Sequence, residues 1–157
     1  QHVQHTFLPH AATANAAYRR EVFGRIGLFD EELRSGEDKD ICWRMQIETD
    51  LRVAYVPEAV VYHPYETDAR ALFRQKRTHA YGEVALFKKY RRNERRGRRR
   101  LKETYWEYRS LLRRALRSFV LRNGNGAGAF DRNQVLLELS WKAGLIHGSI
   151  AHRVWYV

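Results

Sequence analysis

The spacing of apolar positions changes from segment to segment, and it predicts the elements. Val3 to Leu8 reads as a short strand stopped by Pro9, and Ala14 to Tyr18 as an extended stretch of small residues. Arg19 to Ile26 reads as a short helix closed by Gly27, since glycine takes the left-handed conformation in which helices end. Leu28 to Gly36 is an acid-rich loop. From Asp38 to Thr49 the spacing is helical, with Ile41 and Met45 on one face and Cys42 beside them. Ser35 or Gly36 precedes this helix, and Glu37, Asp38 and Asp40 occupy its first turn, where the helix dipole favours negative charge. Arg52 to Val56 and Ala59 to Tyr62 read as two strands, broken by Pro57 and Pro64. Thr67 or Asp68 opens a long helix to about Tyr90, and Leu101 to Leu121 is helical again. The Gly-rich run Asn123–Gly128 reads as a flexible linker, and Asp131 caps a final helix to about Val154.

With 157 residues, 44% of them hydrophobic and 13% aromatic, the chain can bury a real core and is not a disordered polymer. A single cysteine, Cys42, cannot form an internal disulfide and fits a reducing compartment. No window approaches the ~20 consecutive apolar residues of a spanning helix, and no signal-peptide pattern is seen. Met45 is the only methionine and the chain begins in mid-pattern, so a fragment or processed chain is expected. The net charge of +11 is unevenly placed. Residues 1–66 carry 7 basic and 11 acidic side chains, whereas residues 67–157 carry 22 basic and 7 acidic ones. Chemistry is therefore expected in the acidic half and surface attraction in the basic half.

Four blocks carry the chemistry. They are Ala14-Asn15-Ala16-Ala17-Tyr18-Arg19-Arg20-Glu21; Gly27-Leu28-Phe29-Asp30-Glu31; Gly36-Glu37-Asp38-Lys39-Asp40-Ile41-Cys42-Trp43-Arg44; and Val53 to His63 with Pro57-Glu58-Ala59 inside it. In this order they resemble the inverting glycosyltransferases of family 2, which have the GT-A fold. The resemblance covers roughly residues 10–90. It implies an α/β fold, a partial GT-A-like mixed sheet with flanking helices, followed by a helical C-terminal extension. Domains are expected at residues 1–90, the C-terminal half of such a transferase, and at 91–157, a basic helical extension.

The implied reaction moves a sugar from a nucleotide diphosphate sugar to a hydroxyl acceptor with inversion, in cell-surface glycan or polysaccharide synthesis. The acceptor hydroxyl loses its proton as the new bond forms, so a carboxylate must stand beside it. The resemblance assigns that role to Asp38, with Glu37 and Asp40 in support. The same three acids also suit plain helix capping. Asp38-Lys39-Asp40 is formally Asp-x-Asp. The metal motif of the family lies in the nucleotide-binding half, however, which has no counterpart here, so Asp40 is read as a structural partner of an arginine such as Arg44, four residues on. Without that half the fragment is expected to be inactive alone. Mg or Mn is expected in the complete enzyme, with His63 as a candidate ligand, although a lone histidine is more often a surface residue.

Tyr18 and Trp43 suit stacking on an acceptor sugar, and Trp43 suits a core position equally. Arg74 and Arg77 are candidates for the donor diphosphate, or for a solvated helix face. The run Gln75-Lys76-Arg77-Thr78-His79 lacks the tryptophan of processive members, which points to addition of one or few sugars. Lys88 to Lys102 holds ten basic residues and one acid. Each cation near an anionic leaflet contributes ~1 kcal/mol, and the final helix repeats Leu139, Ala143, Ile146 and Ile150 on one face. An anionic membrane surface, a glycan or lipid-linked acceptor, and a cytoplasmic place on the inner face of the membrane are the expected partners and location. Nucleic-acid binding is the rival reading of the charge. It is disfavoured because aromatics do not interleave with the basic run. A non-catalytic scaffold is the third reading.

Overall fold

The computed structural model describes residues 7–64, 66–92, 101–120 and 127–156, with backbone alone at 101–103, 118–120 and 127–131. The chain divides into two compact units, residues 1–65 and 66–157. Among the described residues every regular element is helical: a 3₁₀ turn at Thr13–Asn15, then α1 (Arg20–Ile26), α2 (Glu37–Glu48), α3 (Ala69–Tyr90), α4 (Leu101–Val120) and α5 (Ala127–Ala151).

The mixed sheet of the GT-A kind expected above is therefore not formed among the described residues. A strand becomes regular only when its N–H and C=O groups find a ladder partner. The segment expected as two strands turns on itself instead. The Ala59 N–H donates to the Val56 carbonyl at 3.1 Å and the Val60 N–H to the Glu58 carbonyl at 2.9 Å. Tyr55, Val60 and Tyr62 are exposed, Tyr62 at 94%. The other expected strand, Val3–Leu8, falls mostly outside the described residues.

In the first unit glycine sets the boundaries of both helices. Gly27 ends α1 at φ 79°, and its N–H returns to the Phe23 carbonyl at 3.0 Å. Gly36 starts α2 at φ 89°, in the left-handed region that a side chain disfavours. Its carbonyl accepts from the Asp40 N–H at 2.9 Å. Val22 and Ile26 of α1 are buried, as are Ile41, Cys42, Trp43 and Met45 of α2.

In the second unit Asp68 caps α3, its carboxylate accepting from the Ala71 N–H at 2.8 Å. Helix α5 lies close along α3. A Cβ at Gly144 would stand 2.3 Å from the Arg77 carbonyl oxygen, and one at Gly148 would stand 3.0 Å from the Val84 side chain. Ala80, Val84 and Leu145 form the core of this contact, with Trp141, Val154 and Tyr156 packed against it. Helix α4 packs on α5, burying Leu111 and Val135. Two ion pairs join them, a two-pronged Arg114–Glu138 pair and Lys142–Glu107 at 2.6 Å. Residues 127 and 128 of the expected linker already belong to α5, and 123–126 lie outside the described residues. So does most of the basic run, residues 93–100.

Candidate functional site

Helix α2 begins where the chain leaves the acid-rich loop. Asp30 shapes that loop by accepting from the Glu32 N–H at 3.1 Å, a local Asx turn. The left-handed Gly36 then turns the backbone so that Glu37, Asp38 and Asp40 enter the first helical turn. There the backbone N–H groups and the positive end of the helix dipole attract carboxylates. Asp38 is half-buried, and its Oδ1 accepts from the Lys39 N–H at 2.8 Å. Glu37 is half-buried beside it.

Tyr18 is brought to the same place from the extended stretch before α1. Its hydroxyl lies 3.5 Å from Cys42 Sγ, one helical turn beyond Asp38 on α2. Burial pushes the Tyr18 phenol well above its ordinary range, the Cys42 thiol adds to the shift, and the Asp38 charge raises it further. Tyr18 is therefore a neutral O–H group near a carboxylate across the physiological range. Phe23 and Phe29 back it, with ring centroids 5.8 and 6.1 Å from its own.

Asp40 faces the other way. It is fully buried and pairs with Arg44 Nε at 2.8 Å. The rest of the Arg44 guanidinium donates to the Ile26 carbonyl and, at 2.7 Å, to the Leu28 carbonyl. This pair ties the end of α1 and the Gly27–Leu28 turn to α2, so Asp40 supports the site through the backbone and does not meet a ligand. Trp43 is a core residue, 2% exposed, with its indole N–H donating to the Leu8 carbonyl at 2.9 Å and its ring edge-on to Phe7. Stacking on an acceptor sugar, expected as one of its two roles, is incompatible with that burial.

The structure thus brings Tyr18 to Cys42 and within electrostatic reach of Asp38, leaves Glu37 as the neighbour of Asp38 in the first turn of α2, and turns Asp40 and Trp43 to structural use. The Tyr18–Cys42 contact was not read from the sequence. Its one signal is the four-residue step from Asp38 to Cys42, which puts both on one side of α2. Arg74 and Arg77 belong to the second unit, on α3, and both are exposed. His63 is exposed, with Nδ1 2.8 Å from the Pro64 carbonyl oxygen. Among the described residues no group of three or more His, Cys, Asp or Glu side chains converges to hold a metal, so His63 belongs to no such set there.

The profile of the family described as glycosyl transferase family group 2 matches residues 3–155. Two similar proteins are a pre-mycofactocin glycosyltransferase of Mycobacterium tuberculosis strain CDC 1551 and the protein of the same name from strain H37Rv. Each is 38% identical over 66 residues, which is 42% of this chain. The match spans only 14% of each relative's length. No solved structure matches the chain.

Proposed function

The chain belongs to glycosyl transferase family group 2, and from that premise we propose that it supplies the acceptor-side base of an inverting transfer from a nucleotide diphosphate sugar to a hydroxyl. The observation that carries this reading is the placement of Asp38: half-buried, in the first turn of α2, with the neutral Tyr18 phenol beside it.

In the proposed step the acceptor oxygen attacks the anomeric carbon as its proton passes to Asp38. The bond from that carbon to the diphosphate oxygen breaks, the diphosphate leaves with the electron pair, and the configuration inverts. The Lys39 N–H holds Asp38 Oδ1, which leaves Oδ2 as the oxygen proposed to take the proton. Tyr18 and Glu37 are proposed to orient the acceptor. Arg74 and Arg77 are proposed to approach the diphosphate, where a guanidinium offsets developing charge. A divalent ion, Mg or Mn, is proposed to accompany the diphosphate. The described residues offer no ligand cluster for it.

The proposal extends to an anionic membrane surface on the cytoplasmic side. No helix among the described residues is long and apolar enough to cross a membrane. Helix α4, however, turns Tyr105, Leu112 and Leu116 outward, each more than half exposed. Arg109, Arg113 and Arg117 fall among them, and Arg109 sits 4.9 Å over the Trp106 ring. Apolar side chains interleaved with cations suit adsorption at a lipid interface.

The test is Asp38→Asn in the full-length protein, assayed by nucleoside diphosphate release over a panel of nucleotide sugars. Turnover should fall by about 10³-fold with donor binding unchanged. Retained turnover would refute the role of Asp38.

A further inference from the structure

Cys42 stands one helical turn beyond Asp38 on α2 and is 1% exposed. Residues four apart share one side of a helix, with Cβ atoms about 5–6 Å apart. The thiol is thus a near neighbour of the proposed base, in a place that no acceptor atom reaches. Any part it plays must pass through another side chain.

A buried cysteine ordinarily behaves as a small apolar filler. Trp43, next to it on α2, spends its one polar group on the Leu8 carbonyl. Cys42 meets a group that comes from the site itself. The Tyr18 hydroxyl lies 3.5 Å from Sγ, within the reach of a hydrogen bond to sulfur. Tyr18 arrives on residues 16–19, which belong to no helix, so no backbone ladder fixes it. Phe23 and Phe29 hold the body of its ring. Ring contacts leave the oxygen at the tip free to slide, whereas a hydrogen bond has a preferred direction. The contact with Sγ is therefore the one that sets where the oxygen stands.

Sulfur is a weak donor and a weak acceptor. If the phenol donates to Sγ, both lone pairs of its oxygen remain; if the thiol donates, one lone pair and the phenol proton remain. In either direction the Tyr18 oxygen keeps the capacity to accept from a hydroxyl. The Asp38 charge is felt at the same oxygen, so the two groups act on one neighbourhood.

We propose that Cys42 is a positioning residue: its thiol holds the Tyr18 hydroxyl on the Asp38 side of α2, and Tyr18 so held orients a hydroxylated acceptor. This rests on the assignment of Asp38 as the base, since it concerns the same site.

The test is a series at Cys42 in the full-length protein, assayed by nucleoside diphosphate release with methyl glucoside, methyl mannoside and methyl galactoside as acceptor probes. Cys42→Ala should raise KM for the acceptor probe about fivefold, the cost of one hydrogen bond, with KM for the nucleotide sugar unchanged. Cys42→Val should do the same. It refills the volume without a hydrogen-bonding atom, and it takes the place of alanine if alanine unfolds the chain. Cys42→Ser keeps a donor and an acceptor and should restore the acceptor KM to within about twofold. Tyr18→Phe should match Cys42→Ala, and the two together should cost no more than either alone, because they remove the same contact. A plain filler gives the opposite order, with valine tolerated and serine worst, since serine buries a hydroxyl. That order, or additive effects of Cys42→Ala and Tyr18→Phe, overturns the proposal.

NMR of tyrosine labelled at Cζ reads the contact without turnover. The Tyr18 signal, identified by its loss in Tyr18→Phe, should move in Cys42→Ala and Cys42→Val and return in Cys42→Ser. A signal that neither alanine nor valine moves overturns the proposal. Asp38→Asn separates it from the base assignment. Lost turnover there, beside an unchanged acceptor KM in Cys42→Ala, sinks the positioning role alone. Retained turnover there, beside a raised acceptor KM in Cys42→Ala, sinks the base and upholds the Cys42–Tyr18 pair.

Discussion

In residues 1–65 the backbone is held chiefly by side chains, whereas in residues 66–157 it is held by helix surfaces in contact. Among its described residues the first unit has two α-helices and a 3₁₀ turn between irregular stretches, and irregular carbonyls need donors. Arg44 supplies two carbonyls, Trp43 one, and Asn15 and Gln46 one each for Ala59 and Pro9. The second unit satisfies its backbone within helices and relies on fit, with glycines on α5 where it meets α3. A region pinned by polar contacts from several loops can aim a few groups, such as Tyr18 and Asp38. A region built from packed helices presents faces and grooves between them.

The sharpest way to break this contrast is to remove the arginine staple. Arg44→Met removes the guanidinium that pairs with the fully buried Asp40 carboxylate and strips donors from two carbonyls. The first unit should lose about 4 kcal/mol, seen as faster amide exchange across α1 and α2 with α3 and α5 unaffected. Adding Asp40→Asn should recover part of that loss. If Arg44→Met is silent, side-chain stapling does not hold this unit.

The matching break in the second unit is Gly144→Ala, which would force a methyl group toward the Arg77 carbonyl. A cost of about 2–3 kcal/mol is expected, with exchange rising along α3 and α5 and Trp43 fluorescence unchanged. A tolerated alanine would show that the two helices are not in close contact.

Titration should separate the units next, with smaller effects of opposite sense. Tyr18 is held above its ordinary pKa of 10.0. Its contribution is complete below that value and is lost as pH rises past it, because only the unfolded phenol gives up its proton there. His152 is held below its ordinary 6.5, by burial first and then by Lys88 and His147. Its contribution is complete above 6.5 and is lost as pH falls, because the unfolded ring takes up the proton first. Melting of the first unit should therefore weaken in alkali and that of the second in mild acid. Tyr18→Phe and His152→Gln should flatten the respective arms of the pH profile.

The smallest effect belongs to Glu138→Gln. It removes the Arg114 pair between α4 and α5, whose partners are 43% and 41% exposed. A loss of at most ~1 kcal/mol is expected, vanishing in high salt as an exposed pair should.

Much of this was legible in the residues themselves. Gly27 and Gly36 mark the ends of α1 and α2 because few other residues take those dihedrals. Asp68 caps α3, one of the two positions, Thr67 or Asp68, that the sequence offered, and the Asp40-x-x-x-Arg44 spacing pointed to their pair. Residues 52–62 misled because β-branched and aromatic residues favour a pleated surface, while only a partner strand can make one. Trp43 fitted core and ligand roles alike until its burial decided between them.

What the sequence determined by itself is what acts over a few residues: helix starts and stops, the acid cluster at Asp38, the split of charge between the two halves, and the order of blocks that identifies the family. Tertiary structure alone decided which groups meet across long stretches of chain. Tyr18 against Cys42 and Gly144 against Ala80 are of this kind. Caps and periodicity are set by neighbouring dihedrals. Burial and pairing depend on which distant segment arrives, and no local pattern of residues encodes that arrival.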